Sequence, residues 1–506
     1  MTIPYRSRPF LASLGRLPGL EVTALDGLSS SQQDAIIAAT SKICRKLMED
    51  LGVRWKPQPA DSALRKRTID WIKNELEPIV GPASNRLLLS TDVGVTYTER
   101  VYEGGDFETC VAMVKYVSLA IYLDDVIDKN ASMAKEAEGF LFNALAAPKD
   151  AYMPQTTPDP GNRDNNRLWL DQYRQVSVNL ARHMSDPFVS NMLLHSCTLY
   201  IEGCALEYHI QRDQEKYFLV RDSAAERARD DAEKLARDRG LDIPLPLDTD
   251  RQRVVVVGHE SSSPSPPPEN DEKIPSSDSS VDDGNVAQQL DDNYLVPHGW
   301  PLWLRERSAV AETFAITSFC CAPDGVTLPT YLWVTAIPEL RSIILSINDV
   351  LSFAKELLAN DTTSSLAVLT KERRLLGVPG TARDGGWCLG DSFEEVVGKI
   401  LVAGARINRL LRPSVQGVRY DSQGRVYGLS ELAAMLKDTE GVVEKEDVYK
   451  ALALRLWETH QRGYVAWHFQ SPRYRAHELF DWVRETMGEG EKEAGPEWLV
   501  GAFREV

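Results

Sequence analysis

Along most of the chain, apolar residues recur three and four positions apart, the period of a helix with one buried face. Ser31 to Leu51 and Asp61 to Leu76 carry this pattern behind Ser or Asp start signals. Asp106 opens a longer run, with Phe107, Val111, Val114, Val117 and Ile121 on one face, ending near Asn130. The same spacing predicts helices over 132–147, 167–184, 186–210, 302–322, 330–358, 392–412, 446–469 and 474–487. Alternating strand patterns and hairpin turn signals are nearly absent, so the expected class is all-α.

The pattern lapses between residues 213 and 297. The composition there turns polar and charged, through a solvated helical stretch at Ala224 to Arg239 and into Ser261-Ser262-Ser263-Pro264-Ser265-Pro266-Pro267-Pro268. Such a segment cannot bury enough apolar surface to offset its conformational entropy, and most of it is expected to be disordered. Val254 to Val257 is the exception, a short apolar run able to pair locally as a strand. Helical sequence resumes near Trp300, so the expectation is one domain over 1–506 with an insertion at 213–297. Smaller loops are expected at Pro154 to Asn166 and at Leu376 to Asp391.

Composition narrows the function. With 506 residues, 43% of them hydrophobic, the chain can bury a large core. A net charge of −17 argues against nucleic acid, whose phosphates demand clustered Lys and Arg. The 7 cysteines are scattered and form no C-x-x-C pair, which fits a reduced cytoplasmic protein better than a disulfide framework or zinc. No run approaches the roughly 18 apolar residues of a membrane span. The N-terminus lacks a secretory apolar core, and no G-x-G-x-x-G or Walker loop occurs.

Two acidic stretches carry the chemistry. Tyr122-Leu123-Asp124-Asp125-Val126-Ile127-Asp128 closes the helix opened at Asp106, placing Asp124 and Asp128 on one face and Asp125 about 100° round from it. Carboxylates at a helix C-terminus oppose the macrodipole by roughly 0.3–1 kcal/mol each, which invites a compensating cation. In Asn348-Asp349-Val350-Leu351-Ser352-Phe353-Ala354-Lys355-Glu356, two steps of four align Asn348, Ser352 and Glu356 along a face. An amide oxygen, a hydroxyl and a carboxylate are all ligands suited to Mg²⁺. Lys355 stands where it could meet a phosphate oxygen.

With these motifs the chain resembles class I terpene synthases, and among them it is most similar to the fungal trichodiene synthase family of sesquiterpene cyclases. The family's second metal motif, N-D-x-x-S-x-x-x-E, is matched throughout by Asn348 to Glu356. Gly463-Tyr464-Val465-Ala466-Trp467-His468, followed by Pro472-Arg473-Tyr474-Arg475, matches the family's G-Y-V-x-W-H run and its R-Y pair. A looser match is Ile201-Glu202-Gly203-Cys204 with Glu207 beyond it. The resemblance spans 100–212 and 298–487 in the same order.

It implies an α-helical bundle around a central apolar cavity, and Mg²⁺-dependent cyclisation of farnesyl diphosphate to a sesquiterpene. Asp124, Asp125, Asn348, Ser352 and Glu356 would hold three Mg²⁺, with Asp128 completing the first motif. Lys355, Arg473 and Tyr474 would bind the diphosphate, joined by a sensing Arg upstream, for which Arg305 has better spacing than Arg307. Cavity aromatics would come from Trp467, Trp333, Phe353 and Tyr116, with Tyr122 and Phe314 as further candidates. The resemblance also suggests a homodimer.

Three alternatives stay open. One is a cyclase using geranylgeranyl diphosphate. Another is a chain-elongating prenyltransferase, although those pair two Asp-rich motifs. The third is an inactive helical scaffold whose insertion recruits a partner. The insertion itself departs from the family and reads as an inert loop or as a lid. Six of the 8 histidines (His183, His195, His209, His460, His468 and His477) are spread over predicted helices near no nucleophile motif, and His468 reads as a core residue.

Overall fold

The structure, a computed structural model, describes residues 14, 17–25, 27–56, 62–140, 165–184, 186–212, 220–221, 294–295, 303, 305–307, 310–361, 364–414, 427–438 and 442–491. The chain divides into two compact units, one formed by Met1–Phe218 with Pro297–Val506 and the other by Leu219–Val296. In the second unit, β1 (Val220–Arg221) pairs antiparallel with β2 (Tyr294–Leu295). The expectations for Ala224 to Arg239, for Val254 to Val257 and for disorder across the insertion lie outside the described residues.

The first unit is all-α among its described residues, apart from an isolated bridge between Pro379 and Gly386. Its longer helices among the described residues are α1 (Ser30–Asp50), α2 (Ser62–Trp71), α3 (Asn85–Val101), α4 (Phe107–Ile127), α5 (Ala131–Glu138), α6 (Asn165–Ala181), α7 (Pro187–Arg212), α8 (Ala311–Cys320), α9 (Ile337–Leu358), α10 (Ser365–Leu375), α11 (Leu389–Leu410), α12 (Leu429–Asp438), α13 (Val442–Gln470) and α14 (Asp481–Glu491). Side chains supply several of the caps. Ser29 and Gln32 form a capping box on α1, Ser84 accepts from the Leu87 amide on α3, and Asp106 accepts from Thr109 on α4.

Six helices close a ring by successive packing: α3 on α4, α4 on α7, α7 on α8, α8 on α9, α9 on α13, and α13 back on α3. The ring members bury almost whole faces. On α4, Val111, Val114, Val117 and Leu123 are buried together with Met113, Tyr116 and Leu119 from round the helix. Helix α9 buries Leu340, Ile343, Ile344, Ile347, Val350 and Leu351, and α11 and α1 cover its outer side. Both helices that carry the acidic motifs therefore have their backbones fixed by packing on several sides.

Several helices differ from the sequence expectation. α3, α10 and α12 have no counterpart among the predicted helices. The helix expected from 330 begins at Ile337, because Thr330–Leu332 and Val334–Ala336 turn as 3₁₀ segments and Pro338 sits in the first turn of α9. The helix expected over 474–487 is interrupted. Pro472–Tyr474 is a 3₁₀ turn, Arg475 takes a left-handed φ of 55°, and Phe480 is extended before α14. The Pro154 to Asn166 loop expectation falls outside the described residues except at its end, where Asn165 already starts α6.

Candidate active site

The last turn of α4 projects Asp124, Asp125 and Asp128 into a cavity of about 280 Å³. Arg473, carried on the 3₁₀ turn after α13, grips the first two: Nη2 donates to Asp124 Oδ2 at 2.9 Å and Nη1 to Asp125 Oδ1 at 3.0 Å. Burial pushes the Asp124 carboxyl above its ordinary range, and the Arg473 charge only partly offsets this. Cys204 of α7 donates a weak 3.5 Å contact to Asp124 Oδ1.

Across the cavity, α9 presents Asn348, Asp349, Ser352, Lys355 and Glu356. Arg305 holds this end: its Nε donates to Asp349 Oδ1 at 2.7 Å, and Nη2 donates to Asn348 Oδ1. Burial alone would lower the Arg305 pKa, but the carboxylates of Asp349, Glu207 and Glu356 outweigh it and hold the guanidinium firmly charged. Arg307 lies elsewhere, stacked over the Trp303 ring at 5.2 Å. Of the two sensing candidates, only Arg305 reaches the motif.

The Ser352 hydroxyl donates to the Asn348 carbonyl at 2.7 Å, which leaves its lone pairs free to accept or to ligate. Glu356 is raised above the usual carboxylate range by burial. Lys355 is pulled down, first by burial and then by the Arg473 charge. Tyr474 lies between these groups, accepting from Asn348 Nδ2 at 3.2 Å beneath the Lys355 ammonium.

One turn back from each motif the wall becomes apolar: Ile121 on α4, Ile344 and Leu345 on α9, Ala311 and Phe314 on α8, Tyr200 on α7, and Tyr464 and Trp467 on α13. Trp467 is held firmly, with Nε1 donating to the Val93 carbonyl of α3 at 3.3 Å and its ring edge-on to Tyr97. Phe314 and Trp467 are thus the proposed aromatics that line the cavity, and the other four do not. Trp333 stacks on Phe319, and Phe353 faces a different cavity with Leu25, Leu28 and Leu357. Tyr116 is tied into the core by hydroxyl contacts with Thr313 and Tyr173. Tyr122 packs on Trp169. Helical spacing identified these rings as buried without saying which side of the helix met the cavity.

Sequence reasoning assigned no role to Tyr200, Asp349, Asp361 or Tyr464, all of which line the cavity. Two of them had a signal. Asp349 is the second letter of the N-D motif, and Tyr464 stands three residues before Trp467 on the same helix face.

The oxygen set fits a hard divalent cation. Asp128 Oδ1 is buried and has no hydrogen-bond partner among the described residues, an expensive state that a cation would relieve. The raised carboxyls of Asp124 and Glu356 point the same way, since a nearby positive charge stabilises their ionised forms. Among the described residues, no three His, Cys, Asp or Glu side chains are grouped closely enough to hold a metal unaided. Amide, hydroxyl and phosphate oxygens would have to complete the shell, as they commonly do around Mg²⁺. No protein-family model matches the chain, and no curated protein matches it.

Proposed function

We propose that the chain is a Mg²⁺-dependent terpene cyclase of the class I kind. It would ionise a linear isoprenyl diphosphate, farnesyl diphosphate foremost, and close the cation to a cyclic sesquiterpene hydrocarbon or alcohol. The observation that carries this reading is a meeting of parts: two acidic motifs and three cationic side chains, Arg305, Lys355 and Arg473, surround one end of a cavity whose remaining wall is apolar and aromatic. The closed ring of helices agrees with the bundle such cyclases use.

When bound, Mg²⁺ would neutralise the diphosphate as negative charge builds on it. Asp124, Asp125, Asn348, Ser352 and Glu356 would hold the metal, with Asp128 beside them. Arg305 and Arg473 offer planar forks to phosphate oxygens, while Lys355 and Tyr474 add a point charge and a hydroxyl donor. Cleavage of the allylic C–O bond moves its electron pair onto the diphosphate and leaves the cation against Phe314, Tyr464 and Trp467. Each ring face is worth about 0.5–2 kcal/mol to such a cation. The apolar wall keeps water from quenching it before the ring closes.

Incubation with farnesyl or geranylgeranyl diphosphate, with and without Mg²⁺, followed by gas chromatography–mass spectrometry of the extract, tests the proposal. A cyclic C15 product that requires Mg²⁺ is expected. A C20 product instead would move the substrate class, and no product above the metal-free control would leave the inactive-scaffold reading standing. Asn348→Ala is expected to abolish diphosphate release while leaving the circular dichroism spectrum unchanged.

A further inference from the structure

His468 is 1% exposed and lies one turn after Tyr464 on α13, its ring between those of Tyr464 and Tyr474. Its Nδ1 stands 2.8 Å from the Tyr464 carbonyl oxygen. A carbonyl only accepts, so Nδ1 carries the ring proton. With that proton placed on Nδ1, Nε2 of the neutral ring is bare and able only to accept. The atom 3.1 Å from Nε2 is Asn348 Nδ2.

An acceptor at that position demands the nitrogen end of the amide. The Tyr474 hydroxyl, 3.2 Å from the same nitrogen, takes its other hydrogen. With both amide hydrogens committed, Oδ1 must face away from α13. It does so toward Arg305, whose guanidinium can only donate and so requires an oxygen there. The backbone carbonyl at one end of the chain of contacts and the guanidinium at the other fix the amide the same way round.

We propose that His468 is a positioning residue. Through its bare Nε2 it holds the Asn348 side chain with the oxygen turned into the cavity, where a cation can use it. The proposal rests on the cyclase reading of the site. An amide released from this hold has two faces of nearly equal shape, and one of them offers N–H groups, which cannot ligate a cation. Partners of this kind, standing behind a ligand, typically change metal affinity by about 10–100-fold.

The test uses the full-length protein, MgCl₂ and inorganic diphosphate, with binding followed by titration calorimetry at several Mg²⁺ concentrations. H468M is apolar and unbranched, and H468Q has the same length but supplies an acceptor oxygen. H468F keeps a ring between the two tyrosines. We expect H468M and H468F to need about tenfold more Mg²⁺ for half-maximal diphosphate binding, and H468Q to lie within about threefold of wild type. Thermal melts of H468M and H468Q should coincide, so a purely structural role would not split their Mg²⁺ requirements. Should H468F fail to fold, the H468M and H468Q pair still decides. Equal Mg²⁺ requirements in that pair would overturn the positioning role. If wild type shows no Mg²⁺-dependent diphosphate binding, the cyclase reading fails first and this inference goes with it.

Discussion

Arg305 and Arg307 stand two positions apart, and their surroundings give them different tasks. Arg305 spans Asn348 and Asp349 with separate nitrogens of one fork, while Arg307 lies over a Trp303 ring that is 42% exposed. Lysine keeps the charge but has a single nitrogen and no fork, so it cannot reproduce both contacts. Arg305→Lys is therefore expected to lower kcat/KM for diphosphate release by about 100-fold, roughly 2.7 kcal/mol of transition-state stabilisation. Arg307→Ala should stay within about twofold, as a surface substitution does. Equal losses in the two variants would show that the contact with the motif is incidental. Residue spacing alone favours Arg305. His468 was different. The same spacing marks it as buried, and only the hydrogen-bond partners of its two nitrogens reveal a direction.

At the scale of helices, α3 shows why part of the fold was hard to read. Its buried face includes Ser90, Thr91 and Thr98, so the apolar stripe that should announce a helix is broken by hydroxyls. Thr91 satisfies its hydroxyl on the Leu87 carbonyl one turn back, at 2.8 Å, and can therefore be buried at little cost. Helix α4 buries Thr109 and Ser118 and α9 buries Ser346, but the rest of each buried face before the acidic end is apolar, and the period stays plain. The crossing of α3 with α13 turns on Gly463. A Cβ there would stand 1.9 Å from the Arg100 carbonyl oxygen and 2.4 Å from its carbon, backbone atoms that cannot step aside. Gly463→Ala should cost about 3 kcal/mol or more, read as a fall in the urea midpoint at unchanged slope. An unshifted midpoint would mean that the two helices can slide apart freely.

The junction of α8 with α13 has a pH dependence. Ser318 Oγ meets His460 Nδ1 at 2.6 Å, and burial pushes this imidazole down to about 3 from an ordinary 6.5. Between those values the unfolded chain binds a proton that the folded one refuses. Stability is thus complete above pH 6.5 and falls as pH drops toward 3, by up to about 1.4 kcal/mol per pH unit for each such histidine. Urea unfolding at pH 7, 6 and 5 should show this decline, and it should be shallower by about one proton in His460→Phe. A variant whose stability falls as steeply as that of wild type would place the acid sensitivity elsewhere.

Over the whole molecule, every residue of the candidate site belongs to the unit formed by Met1–Phe218 and Pro297–Val506, although Leu219–Val296 interrupts that unit in sequence. The two acidic motifs were legible because each is compact along its own helix. That they share a cavity was implied by the resemblance and not by the residue pattern, since it depends on six helices closing a ring and on Arg473 and Arg305 arriving from distant segments. The interruption gives the strongest test of this arrangement. If binding, ionisation and cyclisation need only side chains of the first unit, replacing residues 219–296 with a Gly/Ser linker of about 10 residues should leave Mg²⁺-dependent product formation within about threefold of wild type. The product profile should also be unchanged, because Phe314, Tyr464 and Trp467 remain in place. A variant that unfolds at the wild-type midpoint but releases more alcohol and less hydrocarbon would show that the replaced segment helps exclude water during the reaction. A variant that binds inorganic diphosphate with Mg²⁺ yet forms no product would assign that segment a part in catalysis itself.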